Sequence, residues 1–142
     1  MIRKASAVWK GDLKSGKGTL ATETGVLKDT QYSFASRFET GSGTNPEELI
    51  GAAHAGCFSM ALSGGLTAAG FVPDQITTTA NVHIDKVATG FKVTLIELST
   101  EARVPNIDDA KFQEIAAGTK TGCPISQALA ATEIKLTAKL LK

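Results

Sequence analysis

The stretch Thr44-Asn45-Pro46-Glu47-Glu48-Leu49-Ile50-Gly51-Ala52-Ala53-His54-Ala55-Gly56-Cys57-Phe58-Ser59-Met60-Ala61-Leu62 decides the fold. It opens as helices open. Asn45 can cap, Pro46 suits the first helical position because the N–H it lacks would be unpaired there, and Glu48 stands three residues after the cap. The pattern predicts a helix over residues 46–69, stopped by Gly70 with Pro73 beyond. Past Glu48 the segment is apolar nearly all round and crowded with small residues, which predicts a helix buried on every side and close to other backbones. Gly51, Gly56, Gly64 and Gly65 each cost about 1 kcal/mol relative to alanine inside a helix. Close packing is expected to offset that cost, and Gly64-Gly65 also offers a place to kink.

Toward the N-terminus, residues 2–9, 18–23 and 32–38 alternate polar with apolar and are separated by Gly, Ser, Lys and Asp, the pattern of three short strands in a meander. Toward the C-terminus, residues 75–87 and 91–104 are rich in Thr, Val and Ile and joined at Ala88-Thr89-Gly90, which predicts a hairpin. Asp108 or Asp109 caps a second helix carrying Phe112, Ile115 and Ala116 and ending near Gly122. Cys123-Pro124 opens a short third helix reaching about Ala130, and residues 134–140 alternate as a last strand. Strands grouped at both ends around a buried helix make the class α+β, and residues 1–142 are expected to form a single domain.

Composition narrows the partners. The 142 residues hold 15 Lys and Arg against 14 Asp and Glu, a net charge of +1. No long-range field recruits nucleic acid or an anionic membrane. Basic residues near the start are followed by charge again at Lys10 and Asp12, leaving no apolar export region. Nowhere do about 18 apolar residues run uninterrupted. Two cysteines are too few for a disulfide scaffold, so the expected setting is the reducing cytoplasm, where they raise the question of redox chemistry.

A reactive cysteine works as its thiolate and needs positive charge or a helix start to form it. On local grounds Cys123, at the cap of the third helix, is the better placed nucleophile. Cys57 lies in mid-helix and needs a cation from elsewhere. The chain has three arginines, Arg3, Arg37 and Arg103, and Arg37, between Phe34 and Phe38, is the best candidate for a semi-buried one. Such an arginine needs a carboxylate to hold it. At 100° per residue Glu47 lies about 80° from Cys57 around the helix and Glu48 about 180° away, so Glu47 is the candidate partner and Glu48 the capping residue.

These segments resemble the OsmC/Ohr family of thiol peroxidases, in the helix from Thr44 to Leu62, in Gly122-Cys123-Pro124-Ile125-Ser126-Gln127-Ala128-Leu129 and in Ala7-Val8-Trp9-Lys10-Gly11-Asp12. The likeness is closer to the OsmC branch than to the Ohr branch. It implies an intertwined homodimer whose long central helices are wrapped by antiparallel sheets, with two active sites at the interface. It also implies Cys57 as the peroxidatic cysteine, Cys123 as the resolving one, and Arg37 and Glu47 as the activating pair, against the local preference for Cys123. The implied substrate is an organic hydroperoxide, favoured over hydrogen peroxide by apolar neighbours such as Phe38, Ile50, Phe58 and Met60. The implied reductant is an external dithiol, with a lipoyl protein as one candidate, and no cofactor is called for.

Blander readings stand beside these. Free cysteines often merely fill a core, and Arg37 with Glu47 could be a plain ion pair. His54, one turn before Cys57, reads as a satisfied core histidine rather than a base or zinc ligand. The cysteines lack metal-ligand spacing, and a further ligand would have to be His83 or a carboxylate. A module that binds a lipid or small molecule in an apolar cleft, with incidental cysteines, is the competing function.

Overall fold

The computed structural model describes all residues from Met1 to Lys142. Two compact units are present, Met1–Leu49 and Ile50–Lys142.

The first unit begins with the antiparallel meander β1 (Ala5–Lys10), β2 (Lys17–Thr22) and β3 (Thr30–Ser33), in that spatial order. Gly18 pairs with Trp9 on one side and Tyr32 on the other. A Cβ there would stand 2.3 Å from Tyr32 Cε1 and 2.8 Å from Trp9 Cε3, so only glycine fits beneath the two rings, which meet at 5.4 Å.

After Ser33 the strand expected over residues 32–38 gives way to a short helix, α1 (Phe34–Phe38). The hydroxyl of Ser33 accepts from the Ser36 N–H while the Ser36 hydroxyl accepts from the Ser33 N–H. This reciprocal capping box nucleates the turn and outweighs the strand-like alternation of Phe34, Ser36 and Phe38. Phe34 and Phe38 then meet one turn apart at 5.0 Å, and the Arg37 guanidinium lies 5.1 Å from the Phe38 ring. Ser36 also donates to the Thr44 carbonyl at 2.7 Å, and Asn45 Nδ2 donates to the Ser36 carbonyl, tying α1 to the next helix start.

That helix, α2 (Pro46–Ala68), runs as one continuous element through Gly64-Gly65. Its cap is the expected one, with Asn45 Oδ1 accepting from the Glu48 N–H at 2.9 Å. Glu48 itself binds the Thr44 hydroxyl. The first turn belongs to the first unit and the rest to the second.

The second unit holds β4 (Gln75–Val87), β5 (Gly90–Arg103), α3 (Asp109–Gly122), α4 (Pro124–Ala128) and β6 (Glu133–Leu141). Gly90, at φ +126°, makes the tight turn of the β4–β5 hairpin. Asp108 caps α3 through the Lys111 N–H. The strand order is β4-β5-β6, and β6 runs parallel to β5. The expectation of purely antiparallel sheets therefore fails at this edge: α3 and α4 form a crossover, which returns the chain in the same direction.

The core joins Phe58, Leu62 and Leu66 of α2 to Ile96, Leu98 and Ala102 of β5, Phe112 and Ala116 of α3, and Cys123. Fully burying each large apolar side chain contributes about 1.5–3 kcal/mol. Among these, buried Thr100 shares its hydroxyl with Thr78, which also receives one from Ser59.

Burial on α2 follows one stripe, through His54, Phe58, Leu62 and Leu66. The helix was expected to be covered all round. Instead Ala52, Ala53, Gly56, Met60 and Gly64 face outward, Met60 being 79% exposed. The glycines divide in the same way. A Cβ on Gly51 would meet the Ala80 carbonyl at 3.3 Å and one on Gly65 would meet Ile115 at 3.1 Å, while Gly56 and Gly64 face open space. Length and composition alone would let α2 cross a membrane, but its inner stripe is built into the core of the second unit.

Candidate active site

Cys123 owes its position to Pro124. A residue before proline is pushed out of the helical region, and Cys123, at φ −59° and ψ 127°, both ends α3 and begins α4. Its N–H closes α3 on the Thr119 carbonyl and its carbonyl accepts from the Gln127 N–H, so the backbone is fixed on both sides. The side chain is fully buried. Cys57, on α2, is partly exposed, and its sulfur lies 2.9 Å from that of Cys123 with no bond between them.

The two thiols differ in proton affinity. Burial pushes Cys57 up, and the hydrogen bond with Cys123 adds to it. Burial also acts upward on Cys123, but hydrogen bonds from the Cys57 thiol, from the N–H and hydroxyl of Ser126 and from the Ile125 N–H outweigh it and bring Cys123 down. Cys57 therefore holds its proton more firmly than Cys123 does. Access runs the other way, because only Cys57 can meet a molecule from outside.

Within the first unit, Arg37 and Glu47 form a side-on pair along one guanidinium edge. Arg37 Nη2 donates to Glu47 Oε1 at 2.7 Å, and Nε stands 3.2 Å from both carboxylate oxygens. Glu47 is buried and Arg37 is partly exposed. Such a fork fixes the guanidinium plane as well as its charge. Its partner is Glu47 rather than Glu48, which faces solvent at the cap. Beside the pair lies a cleft of about 270 Å³ lined by Trp9, Leu13, Tyr32, Phe34, Arg37 and Phe38.

The four residues singled out from sequence thus fall into two contacts, Arg37 with Glu47 and Cys57 with Cys123. Of the apolar neighbours expected to shape a substrate pocket, Phe38 lines the cleft, while Phe58 is fully buried in the core and Met60 lies open on the outer face of α2. His83 is on the hairpin surface, 2.7 Å from Glu97.

His54 is not the satisfied core histidine that the sequence suggested. It is fully buried, and its Nε2 stands 2.7 Å from the Ser126 hydroxyl, but Nδ1 has no partner. Ser126 was missed altogether. Its signal was its spacing, three residues after Cys123 and so in the same turn.

Comparison with known proteins resolves the family. Residues 39–139 match the family model described as OsmC-like protein. The chain belongs to that family. Over 129 residues it is 57% identical to Peroxiredoxin OsmC of Escherichia coli (strain K12), covering 91% of this chain and 90% of the relative. It is 32% identical over 89 residues to the Organic hydroperoxide resistance protein of Xanthomonas axonopodis pv. citri (strain 306), covering 62% and 61%. The crystal structure of the organic hydroperoxide resistance protein OhrB of Bacillus subtilis superposes with a TM-score of 0.67 at 25% identity, over 97% of this chain and 98% of that one. The α+β architecture described above is therefore the OsmC-like fold.

Proposed function

We propose that this protein is a thiol-dependent peroxidase that reduces organic hydroperoxides, and more weakly hydrogen peroxide, to alcohols. The observation that carries the reading is the contact of an accessible thiol with a buried one at 2.9 Å. The naming of its relatives as peroxiredoxin and as organic hydroperoxide resistance proteins supports the same class.

Cys57 is the peroxidatic residue because it alone can be reached. Its thiolate attacks the distal oxygen of the hydroperoxide, the O–O bond breaks, and the alkoxide leaves as the alcohol after taking a proton. Cys57 is then a sulfenic acid. The Cys123 sulfur displaces its hydroxyl as water and forms a disulfide, which protects Cys57 from further oxidation. A dithiol reductant returns both thiols.

The influences on the Cys57 thiol are burial, Cys123 and the Ile125 N–H, none of them a cation. We assign that role to Arg37, oriented by Glu47, in a homodimer whose active sites lie at the interface. The open stripe of Gly56, Met60 and Gly64 supports the homodimer, since a second copy would cover it. The aromatic cleft beside Arg37 suits an organic substituent better than a bare peroxide. The chain is taken to act as one domain in the cytoplasm, where dithiols are available.

Turnover of cumene hydroperoxide, tert-butyl hydroperoxide and hydrogen peroxide with a dithiol reductant tests the proposal. Consumption is expected to be faster for the organic substrates. Saturable binding without consumption would replace the peroxidase with a binding module.

A further inference from the structure

Within the second unit, four side chains form a row: His54, Ser126, Cys123 and Cys57. Nε2 of His54 is 2.7 Å from Ser126 Oγ, Ser126 follows Cys123 by three residues in the first turn of α4 and helps to lower its thiol, and the Cys123 sulfur is 2.9 Å from that of Cys57. His54 is fully buried and Ser126 is 4% exposed. A buried ring with an unpartnered nitrogen costs stability that an apolar side chain of the same size would not. We propose that His54 and Ser126 are a positioning pair for Cys123, in which the imidazole holds the Ser126 hydroxyl so that its hydrogen points at the Cys123 sulfur during attack on oxidised Cys57.

The direction of the row follows from the ring. Burial holds His54 neutral, so it carries a single N–H. Placed on Nε2, that hydrogen has Ser126 Oγ to accept it, whereas on Nδ1 it would have nothing. Ser126 then accepts from His54 and keeps its own hydrogen to give, and that hydrogen is assigned to the Cys123 sulfur, on which Ser126 acts. The row favours the Cys123 thiolate, the form that attacks. In that step the Cys123–Cys57 S–S bond forms, the S–O bond of the sulfenic acid breaks, and the hydroxide departs as water with the proton that Cys123 gave up. Ser126 acts on the Cys123 sulfur from three residues along the same turn, and His54 acts through it.

The inference rests on the reading that Cys57 is oxidised first, and its test separates the two. In rapid-quench experiments with one equivalent of cumene hydroperoxide, mass spectrometry follows oxygen on Cys57 and then the disulfide. Ser126→Ala is expected to slow the second phase about tenfold relative to the first, the worth of one hydrogen bond to a charged group. Dimedone should trap correspondingly more sulfenic acid. His54→Phe should do the same, and Ser126→Thr, which keeps the hydroxyl, should restore resolution. A second readout needs no oxidation: in a Cys57→Ser background, the pH midpoint of the ultraviolet thiolate absorbance of Cys123, which needs no reagent to reach the buried sulfur, should rise on adding Ser126→Ala. An unchanged second phase and an unchanged midpoint overturn the positioning pair. Oxygen appearing on Cys123 instead of Cys57 overturns the peroxidatic assignment, and the proposed resolving step with it.

Discussion

Glu47 holds Arg37 along the single guanidinium edge that carries Nε and Nη2, with Nη2 at 2.7 Å from Oε1 and Nε at 3.2 Å from both oxygens, while Glu48 next to it binds only the Thr44 hydroxyl and the helix cap. Neighbours in sequence are thus given separate tasks by 100° of helix. Arg37→Ala is expected to slow oxidation of Cys57 by about a hundredfold, since a cation beside a thiolate is worth two or so pKa units. Glu47→Ala should give a milder loss, and Glu48→Ala should alter helix stability with little effect on rate. Stopped-flow oxidation of the three variants checks the order, and a larger loss for Glu48→Ala would undo the assignment.

Cys57→Ser should abolish peroxidase turnover and leave the fold intact, because one oxygen replaces one sulfur at a partly exposed position. Steady-state turnover alongside circular dichroism decides it.

Cys123→Ser should still consume about one equivalent of hydroperoxide per chain, because the resolving sulfur enters only after the oxygen has been transferred. Cys57 should then persist as sulfenic acid and pass to sulfinic acid under excess peroxide. Mass spectrometry of the treated proteins should show loss of two hydrogens in the wild type and gain of oxygen in the variant.

Much of this was legible in sequence where the signal is local. Asn45, Pro46 and Gly70 bound α2 through their own backbone preferences, and the angle between Glu47 and Glu48 separated their roles. The short helix α1 was not legible, because Phe34, Ser36 and Phe38 alternate as a strand does and the Ser33–Ser36 box competes only once the backbone turns. Nor does the alternation in β6 carry a direction, so its parallel pairing had to come from the crossover. The lowering of the Cys123 thiol comes first from Cys57, 66 residues away, and only then from Ser126 and Ile125 in its own turn, so it was only partly legible locally, and the accessibility of Cys57 is likewise set by tertiary packing. Ser126 escaped notice because its partner, His54, is 72 residues away.

Met60→Glu tests the outer face of α2. In a single chain the side chain is 79% exposed, so a carboxylate there should be harmless to folding. Against a second copy it would be buried without a partner, and sedimentation is expected to show dissociation toward the 14.8 kDa chain. A wild type that is already monomeric at micromolar concentration would remove the interface.

His54 sets an acid limit on stability. Its pKa is lowered by burial, so above about pH 6.5 the ring is neutral both folded and unfolded and adds no pH dependence. Below that value the unfolded chain takes up a proton that the folded one resists, and stability falls as pH drops toward the folded value. Chemical denaturation between pH 7.5 and pH 5 should show this slope, and His54→Phe should flatten it.

Cys57 and Cys123 touch in space but are separated by 66 residues of chain. Oxidation would therefore do more than store two electrons, since it would close most of the second unit into a covalent ring. Closing a loop of that length restricts the unfolded chain by on the order of 4 kcal/mol. The resting and oxidised proteins should differ sharply in heat resistance, so that thermal melting becomes a record of redox history. The reductant, in turn, must open a tie that the folded protein holds shut, and reaching it through the partly exposed Cys57 sulfur is the route the packing leaves.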